Sequence, residues 1–453
     1  MKETVEIGTR VEMFVDDWLI EDMRGLSLKL HQPVKREVVL VLDKPWEGKF
    51  CCYFTVMQEK DRIRLYYRGN CFHDDDDTQV ACYAESRDGV HFERPDLGLC
   101  EFGGSRANNI MLTGMDAHNF APFLDANPDA PPQQKYKAVA GFGPKGQSVY
   151  LNQGYLIGYY SADGIHWRKW EEPIIRDGGF DSLNVAFWDK VRGEYRCYSR
   201  SFTADKIRVI QSATSADFLH WGGHEPNRYA ENVPLEQFYT NATLPCPGAE
   251  HTYLSFPMRI DFERKKVREH LYDGVSDAVF MSSRDGRNWD RRFMEAWARP
   301  GGDIRNWTDR NSMTAWGIVE TAPDEFSMYI SEHYRWNDNR LRRLTVRKHG
   351  FASVNANYGG GEMVTRPLVF SGSRLLLNYA TSAVGSIRVE VQDASGKPLE
   401  GFALEDMDDM FGDEISGEVN WNKGNRLEEV KGRVVRFRFV MKDADLYAMQ
   451  TSD

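Results

Sequence analysis

A chain of 453 residues with a formal net charge of -11 has the length for more than one domain and lacks the clustered basic charge of a nucleic-acid surface. Apolar residues at 41% and aromatic residues at 13% exclude a disordered or fibrous chain; they suit β structure and stacking on flat apolar faces such as those of sugars. The longest apolar runs fall well short of the roughly eighteen residues of a membrane span, and the start MKETVEIGTRVEMF has no apolar signal core, so no membrane partner is expected and the expected location is cytoplasmic. Seven cysteines, with Cys51 and Cys52 adjacent, fit reduced thiols better than a disulfide framework.

The first strands are EMFVDDWLI and REVVLVLDKPW, one of which is expected to close a ring by joining the last repeat. Alternation turns only one of Asp16 and Asp17 inward, and ring closure is the expected role of that strand. Then a phrase recurs. YAESRDGVHF, YYSADGIHW, SATSADFLHW and MSSRDGRNW each read as a strand, a tight turn and a second strand opening on an aromatic residue. Their turn aspartates Asp88, Asp163, Asp217 and Asp285 are 75, 54 and 68 residues apart, and a degenerate fifth copy has His349 and Gly350 at its turn. Before each copy lies a second hairpin, such as NVAFWDKVRGEYRCYSR, giving two hairpins per repeat. Four-stranded sheets repeated five times predict an all-β five-bladed β-propeller over residues 1–352. After it, two long stretches of period-two alternation broken by Gly, Ser and Asn predict a C-terminal β-sandwich over 353–453.

In a propeller the innermost strands start at one face and the second strands return to it, so those positions converge. The first position gives Trp46 and Glu47; His118 and Asn119; Asp181 and Asn184; Tyr239 and Asn241; and Asp309, Arg310 and Asn311. The second gives Arg68 with the acidic loop at Asp74–Asp77, then Arg200, Arg259, and Glu332 with His333; the third strand adds Asp277. Paired carboxylates are what glycosidic bond cleavage uses, so Asp181, Glu332, Glu47 and Asp277 are the catalytic candidates. Each has a structural reading as well: a turn cap for Asp181, pinned strands for Glu47 and Asp277. Trp46 and Tyr239 would stack on sugar rings. The arginines Arg68, Arg200, Arg259 and Arg310, with His118, His333, Asn119, Asn184, Asn241 and Asn311, would hold hydroxyls or an anionic group.

No cofactor or metal is expected. GFGPKG (141–146) precedes no helical pattern, His220 and His224 lack further ligands nearby, and the acidic loop reads as a solvated charge run before it reads as a calcium site. The sequence sets no oligomeric state.

The S-x-DG-x-HW turns, the AFWD…GEYRCYSR hairpin and the trailing sandwich resemble the five-bladed glycoside hydrolases of the invertase, levanase and arabinanase type, families 32 and 43, and in particular bacterial proteins related to the family 32 N-terminal domain. The resemblance implies a glycosidase acting on an oligosaccharide or modified sugar. That family's Asn-Asp-Pro-Asn-Gly motif is absent, FDSLN with Asp181 stands where it has Arg-Asp-Pro, and LPCPG puts Pro245 where it has its acid. Glu332 is therefore the expected acid and Asp181, with Glu47 or Asp277, the expected base or nucleophile. A glycoside phosphorylase and a non-catalytic carbohydrate-binding protein are the rival expectations.

Overall fold

The computed structural model describes residues 3–69, 78–142, 148–422, 424 and 427–453, so the acidic loop Asp74–Asp77 and most of GFGPKG lie outside the described residues. Among them the chain is all-β; its only helical elements are short 3-10 turns. It divides into two compact units, one of residues 33–322 and 326–345, the other of 1–32, 323–325 and 346–453. This corrects the sequence boundary. Residues 1–32, expected in the repeat domain, join the C-terminal unit.

The larger unit is a series of antiparallel sheets in chain order. The first pairs Cys52–Gln58, Ile63–Gly69, Val80–Ser86 and Ile110–Thr113; the second pairs Ala121–Leu124, Tyr136–Phe142, Gly154–Ser161 and Arg168–Gly178. The third runs Val185–Asp189, Glu194–Phe202, Arg208–Ser215 and Glu225–Pro226. The fourth repeat is split into two three-stranded pieces, Gln237–Phe238 with Met258–Asp261 and Val275–Ala278, and Leu244–Cys246 with Ala249–Ser255 and Met281–Ser283. The fifth pairs Val319–Ala322, Glu325–Glu332 and Arg340–Arg347, and its outer strand is Val34–Val41 from the start of the unit. An early strand therefore does join the last repeat, and it is the REVVLVL stretch; Asp16 and Asp17 belong to the other unit.

The recurring turn has one hydrogen-bond scheme. Ser86 Oγ accepts from the backbone N–H of Asp88 and Gly89 and donates to Asp88 Oδ1, which accepts from the N–H of Val90 and His91. The same bonds recur at Ser161/Asp163, Ser215/Asp217 and Ser283/Asp285. Short polar side chains thus satisfy turn amides that no neighbouring strand can reach. The glycine matters twice. It supplies a φ near +75° to +79° at Gly89, Gly164 and Gly286, and it lets a tyrosine of another sheet close on its carbonyl. Tyr66 of the first sheet donates to Gly164 O (3.1 Å), Tyr198 of the third to Gly286 O (2.8 Å), and Tyr329 of the fifth to Gly89 O (2.7 Å). A Cβ on any of the three would meet that hydroxyl at 2.5–2.8 Å. The third-sheet turn has Phe218 instead, at φ +71°, wedged among Phe123, Trp170 and Tyr195. The repeated phrase is a docking plug between sheets.

The smaller unit is a ten-stranded sheet among the described residues, carried by the long strands Arg374–Asp393 and Val435–Ser452. Their pairing shifts register between Thr381 and Ser386, a break of the kind that bends a ladder. Leu26–Leu30 pairs with Ala352–Ala356, and Ile20–Arg24 with Gly361–Thr365, which ties residues 1–32 to this unit. Its core includes Phe14, Met363, Leu377, Trp421, Phe437 and Phe439.

Candidate active site

Five of the residues singled out from sequence gather around a sixth, the carboxylate of Asp181. His118 follows the 3-10 turn Gly114–Ala117, and its Nε2 lies 2.8 Å from Asp181 Oδ1. Asp181 itself sits in the loop before Val185–Asp189. Arg200, near the end of its strand, holds Nη2 3.8 Å from Asp181 Oδ2, and Arg68 holds Nη1 3.4 Å from His118 Nδ1. Tyr239 carries the Arg200 and Arg310 guanidinium carbons 5.3 Å from its ring centroid and Arg208 at 6.0 Å.

Residues that the sequence reading left out complete the cluster. Tyr53 hydrogen-bonds Tyr239 hydroxyl to hydroxyl at 2.7 Å and carries the Arg68 guanidinium 4.8 Å from its ring centroid. Gln79 Oε1 faces His118 Nδ1 at 2.7 Å. Arg335 and Tyr334 extend the cluster together with Asp309, which the converging strand starts had already given; Arg335 Nη1 lies 3.3 Å and Arg310 Nη1 3.7 Å from Asp309 Oδ2.

Backbone strain collects here. Tyr53, Arg310 and Arg335 all have φ between +56° and +70° without being glycine, a conformation costing on the order of 1–3 kcal/mol per residue that persists where the surroundings hold it. Tyr53 lies in the register break between Cys52 and Thr55, which is what re-aims its ring.

Electrostatically the site is cationic: Arg68, Arg200, Arg208, Arg310 and Arg335 against Asp181 and Asp309. Burial alone would raise the Asp181 carboxyl, but the His118 hydrogen bond and the charges of Arg200 and Arg68 hold it well below the ordinary carboxylate range. Asp181 is closely surrounded by protein, yet its side chain keeps 39% of its surface open, as a carboxylate on the floor of an accessible pit does. Burial, with the neighbouring Tyr239 and Asp181, pushes the Tyr53 hydroxyl well up, so it stays protonated. Arg68 Nε, Arg200 Nη2, Arg208 Nε and Arg310 Nε are buried without a hydrogen-bond partner.

The other candidates are engaged elsewhere. Glu332 is buried in an ion cluster with Lys35 (3.1 Å), Arg340 (3.1 Å) and Arg342 (2.8 Å); burial would raise its carboxyl, but Arg342 and Lys35 hold it low. A carboxylate so held is ionised at neutral pH and has no proton to donate, which corrects its expected role as acid. Glu47 accepts from Tyr67, Arg94 and the Lys44 amide, and Asp277 is bidentate with Arg259 at 2.9 and 2.7 Å. Both pin local structure. His333 bridges Asp303 and Asp338 at 2.9 and 2.8 Å, and Trp46 gives its indole N–H to Asn109 and packs on Phe102.

The asparagines are staples. Asn119 Nδ2 donates to the carbonyls of Gly141, Phe180 and Ser182 while its Oδ1 accepts from Gly141 N. Asn184 donates to Phe180 and Ser182, Asn241 accepts from Thr243 N, and Asn311 accepts from Tyr334 N. Their amides hold backbone, so they are not the hydroxyl binders expected from sequence. Among the described residues no group of three or more His, Cys, Asp or Glu could hold a metal ion.

No family model matches the chain, and no curated protein matches it. Solved structures similar to it include one described as a glycoside hydrolase (11% identity, 70% of this chain and 92% of that one, TM-score 0.49). Others are an N-acetylgalactosamine deacetylase from F. plautii in complex with blood group B trisaccharide (12%, 72% and 96%, TM-score 0.47) and the Penicillium chrysogenum α-L-arabinanase complexed with arabinobiose (10%, 70% and 98%, TM-score 0.41). At TM-scores below 0.5 these likenesses carry none of the functional argument, which rests on the site.

Proposed function

We propose that this chain is a carbohydrate-active enzyme, a glycoside hydrolase whose substrate carries an anionic sugar. In this reading the sheets of the larger unit close as a five-bladed β-propeller and the smaller unit is a β-sandwich; the pairing of Val34–Val41 with the fifth sheet supports the closure. The observation that carries the function is one open, ionised carboxylate, Asp181, ringed by guanidiniums with unpartnered N–H groups.

A buried donor without a partner costs about 1–3 kcal/mol, and a ligand carboxylate or phosphate offsets that cost while matching the fork of an arginine. Arg310, with 26% of its side chain open and no hydrogen bond to its Nε, is the guanidinium best exposed to such a group. A bound anion also cancels part of the field that depresses Asp181 and brings its carboxyl back toward a useful basicity. A water entering the pit bonds to the anomeric carbon as the glycosidic C–O bond breaks; it gives up a proton and the leaving oxygen takes one, both through the hydrogen-bonded Asp181–His118 pair. Asp181 supplies the negative charge that stabilises both the imidazolium and the positive charge growing at the anomeric carbon. Tyr53 and Tyr239, buried with guanidiniums against their rings, hold Arg68, Arg200 and Arg310 in place around the pit.

The test is product release from aryl glycosides and oligosaccharides in matched neutral and uronate forms, with and without phosphate. Turnover confined to uronates and lost in Asp181→Asn supports the reading; turnover of neutral sugars only refutes it. The same guanidinium cluster favours one second reading, a glycoside phosphorylase with phosphate at the arginines, and strict phosphate dependence would select it.

A further inference from the structure

A second concavity, a cleft of about 890 Å³, lies against the fourth repeat and is lined by Leu235, Glu236, Gln237, Arg259, Phe262 and Trp307, among others. Its volume is that of a small-molecule site, which runs to roughly 300–1,000 Å³. Three of its charged residues, Glu236, Arg259 and Asp277, form an ion-paired ladder that Arg291 extends behind the lining. Asp277 holds Arg259, Glu236 accepts from Arg259 at 2.8 Å and from Arg291 at 2.5 Å, and no side chain of this ladder is left as an uncompensated charge. Its apolar residues are unusually open, Phe262 at 37% and Leu235 at 60% exposed. The Trp307 ring is fixed by its indole N–H to Gly301 O at 2.7 Å. Rigid rings beside a neutral, hydrogen-bonding floor match an uncharged sugar, which has apolar ring faces and a polar rim.

The cleft adjoins the cationic site. Arg208, buried and with an unpartnered Nε, carries its guanidinium 4.9 Å from the Phe262 ring centroid and 6.0 Å from that of Tyr239, and donates Nη1 to Gln237 Oε1 at 3.2 Å. On the other side, a Cβ at Gly274 would stand 3.4 Å from both Phe262 and Asp309, the latter bound to Arg335 and Arg310.

We infer that this cleft is the subsite for a neutral sugar linked to the anionic sugar held at Asp181, with Arg208 at the junction reading the linkage between them. The inference rests on the function proposed above and adds the composition of the substrate: a uronate joined to an uncharged pyranose.

Calorimetric titration of the full chain with glucuronate, methyl glucuronide, glucuronosyl-xylose and galacturonosyl-rhamnose tests it. At least one disaccharide should bind about tenfold tighter than the monosaccharides, the equivalent of one good ring contact. Phe262→Ala and Trp307→Ala should each remove that advantage and leave monosaccharide affinity unchanged. Because both side chains are partly exposed, the milder Phe262→Leu serves as a second variant if either alanine variant folds poorly. Monosaccharides and disaccharides binding equally, or the variants weakening both alike, would overturn the subsite while leaving the anionic-sugar site standing. No uronate binding at all would overturn that site and the subsite with it.

Discussion

Glu332→Gln separates an ion-pair anchor from a catalytic acid. The carboxylate accepts from Lys35, Arg340 and Arg342, and its side chain is only 4% exposed while theirs are 32%, 19% and 20% exposed. Removing one partner of a buried ion pair costs roughly 3–5 kcal/mol because the remaining charge is stranded. Here the cations keep some solvent, so the expected loss is about 3 kcal/mol at pH 7. With about 2–4 °C per kcal/mol for a domain somewhat smaller than this unit, the melting temperature should fall by roughly 5–10 °C. In urea the midpoint should move with the slope unchanged. The pH dependence has a definite sign. The folded-state pKa lies below the ordinary 4.5, so the stabilisation is fully present above that value and fades as pH falls through the folded pKa. The gap between parent and variant should therefore close in acid. A variant as stable as the parent but without turnover would refute this account and restore Glu332 as the acid.

Asp181→Asn should lower kcat on a responsive uronide by about 10²–10⁴-fold, measured by reducing-sugar release, because the amide stabilises neither the imidazolium nor the developing positive charge. Arg310→Gln should raise KM for uronates about tenfold or more while leaving any residual neutral-sugar turnover unchanged, read from paired kinetics on both substrate forms. Asn119→Ala should cost about 2–4 kcal/mol in urea unfolding, since four hydrogen bonds go and the buried Gly141 amide loses its acceptor, with kcat per folded molecule preserved.

Much of the architecture was legible because it is written locally. A Ser-x-Asp-Gly turn between alternating strands has few conformations open to it, and each of the four full copies does form the Ser/Asp-bonded turn. What was illegible depends on distant pairing: nothing in residues 20–30 says that their partners are 352–365. At the site, Arg68, His118, Asp181, Arg200, Tyr239 and Arg310 could be found because strand ends that converge carry them. Tyr53 could not, since its orientation comes from a positive φ inside an apolar run. The asparagines misled for a chemical reason: an amide that binds a sugar hydroxyl and one that binds a backbone carbonyl are the same group. Glu332 misled because the lysine that holds it is 297 residues away in sequence.

The tyrosine-to-glycine bonds bear on how the larger unit comes apart. An open array of repeats frays from its ends, because the terminal repeats have one neighbour each. Here Tyr329 of the fifth sheet grips the first sheet's turn at Gly89, and Val34–Val41 hands the fifth sheet a strand from the other end of the sequence. In the proposed ring no repeat is terminal. Loss of any one sheet withdraws a plug or a strand from another, so hydrogen exchange in these sheets should report a single large opening with nearly uniform protection rather than a gradient from either end.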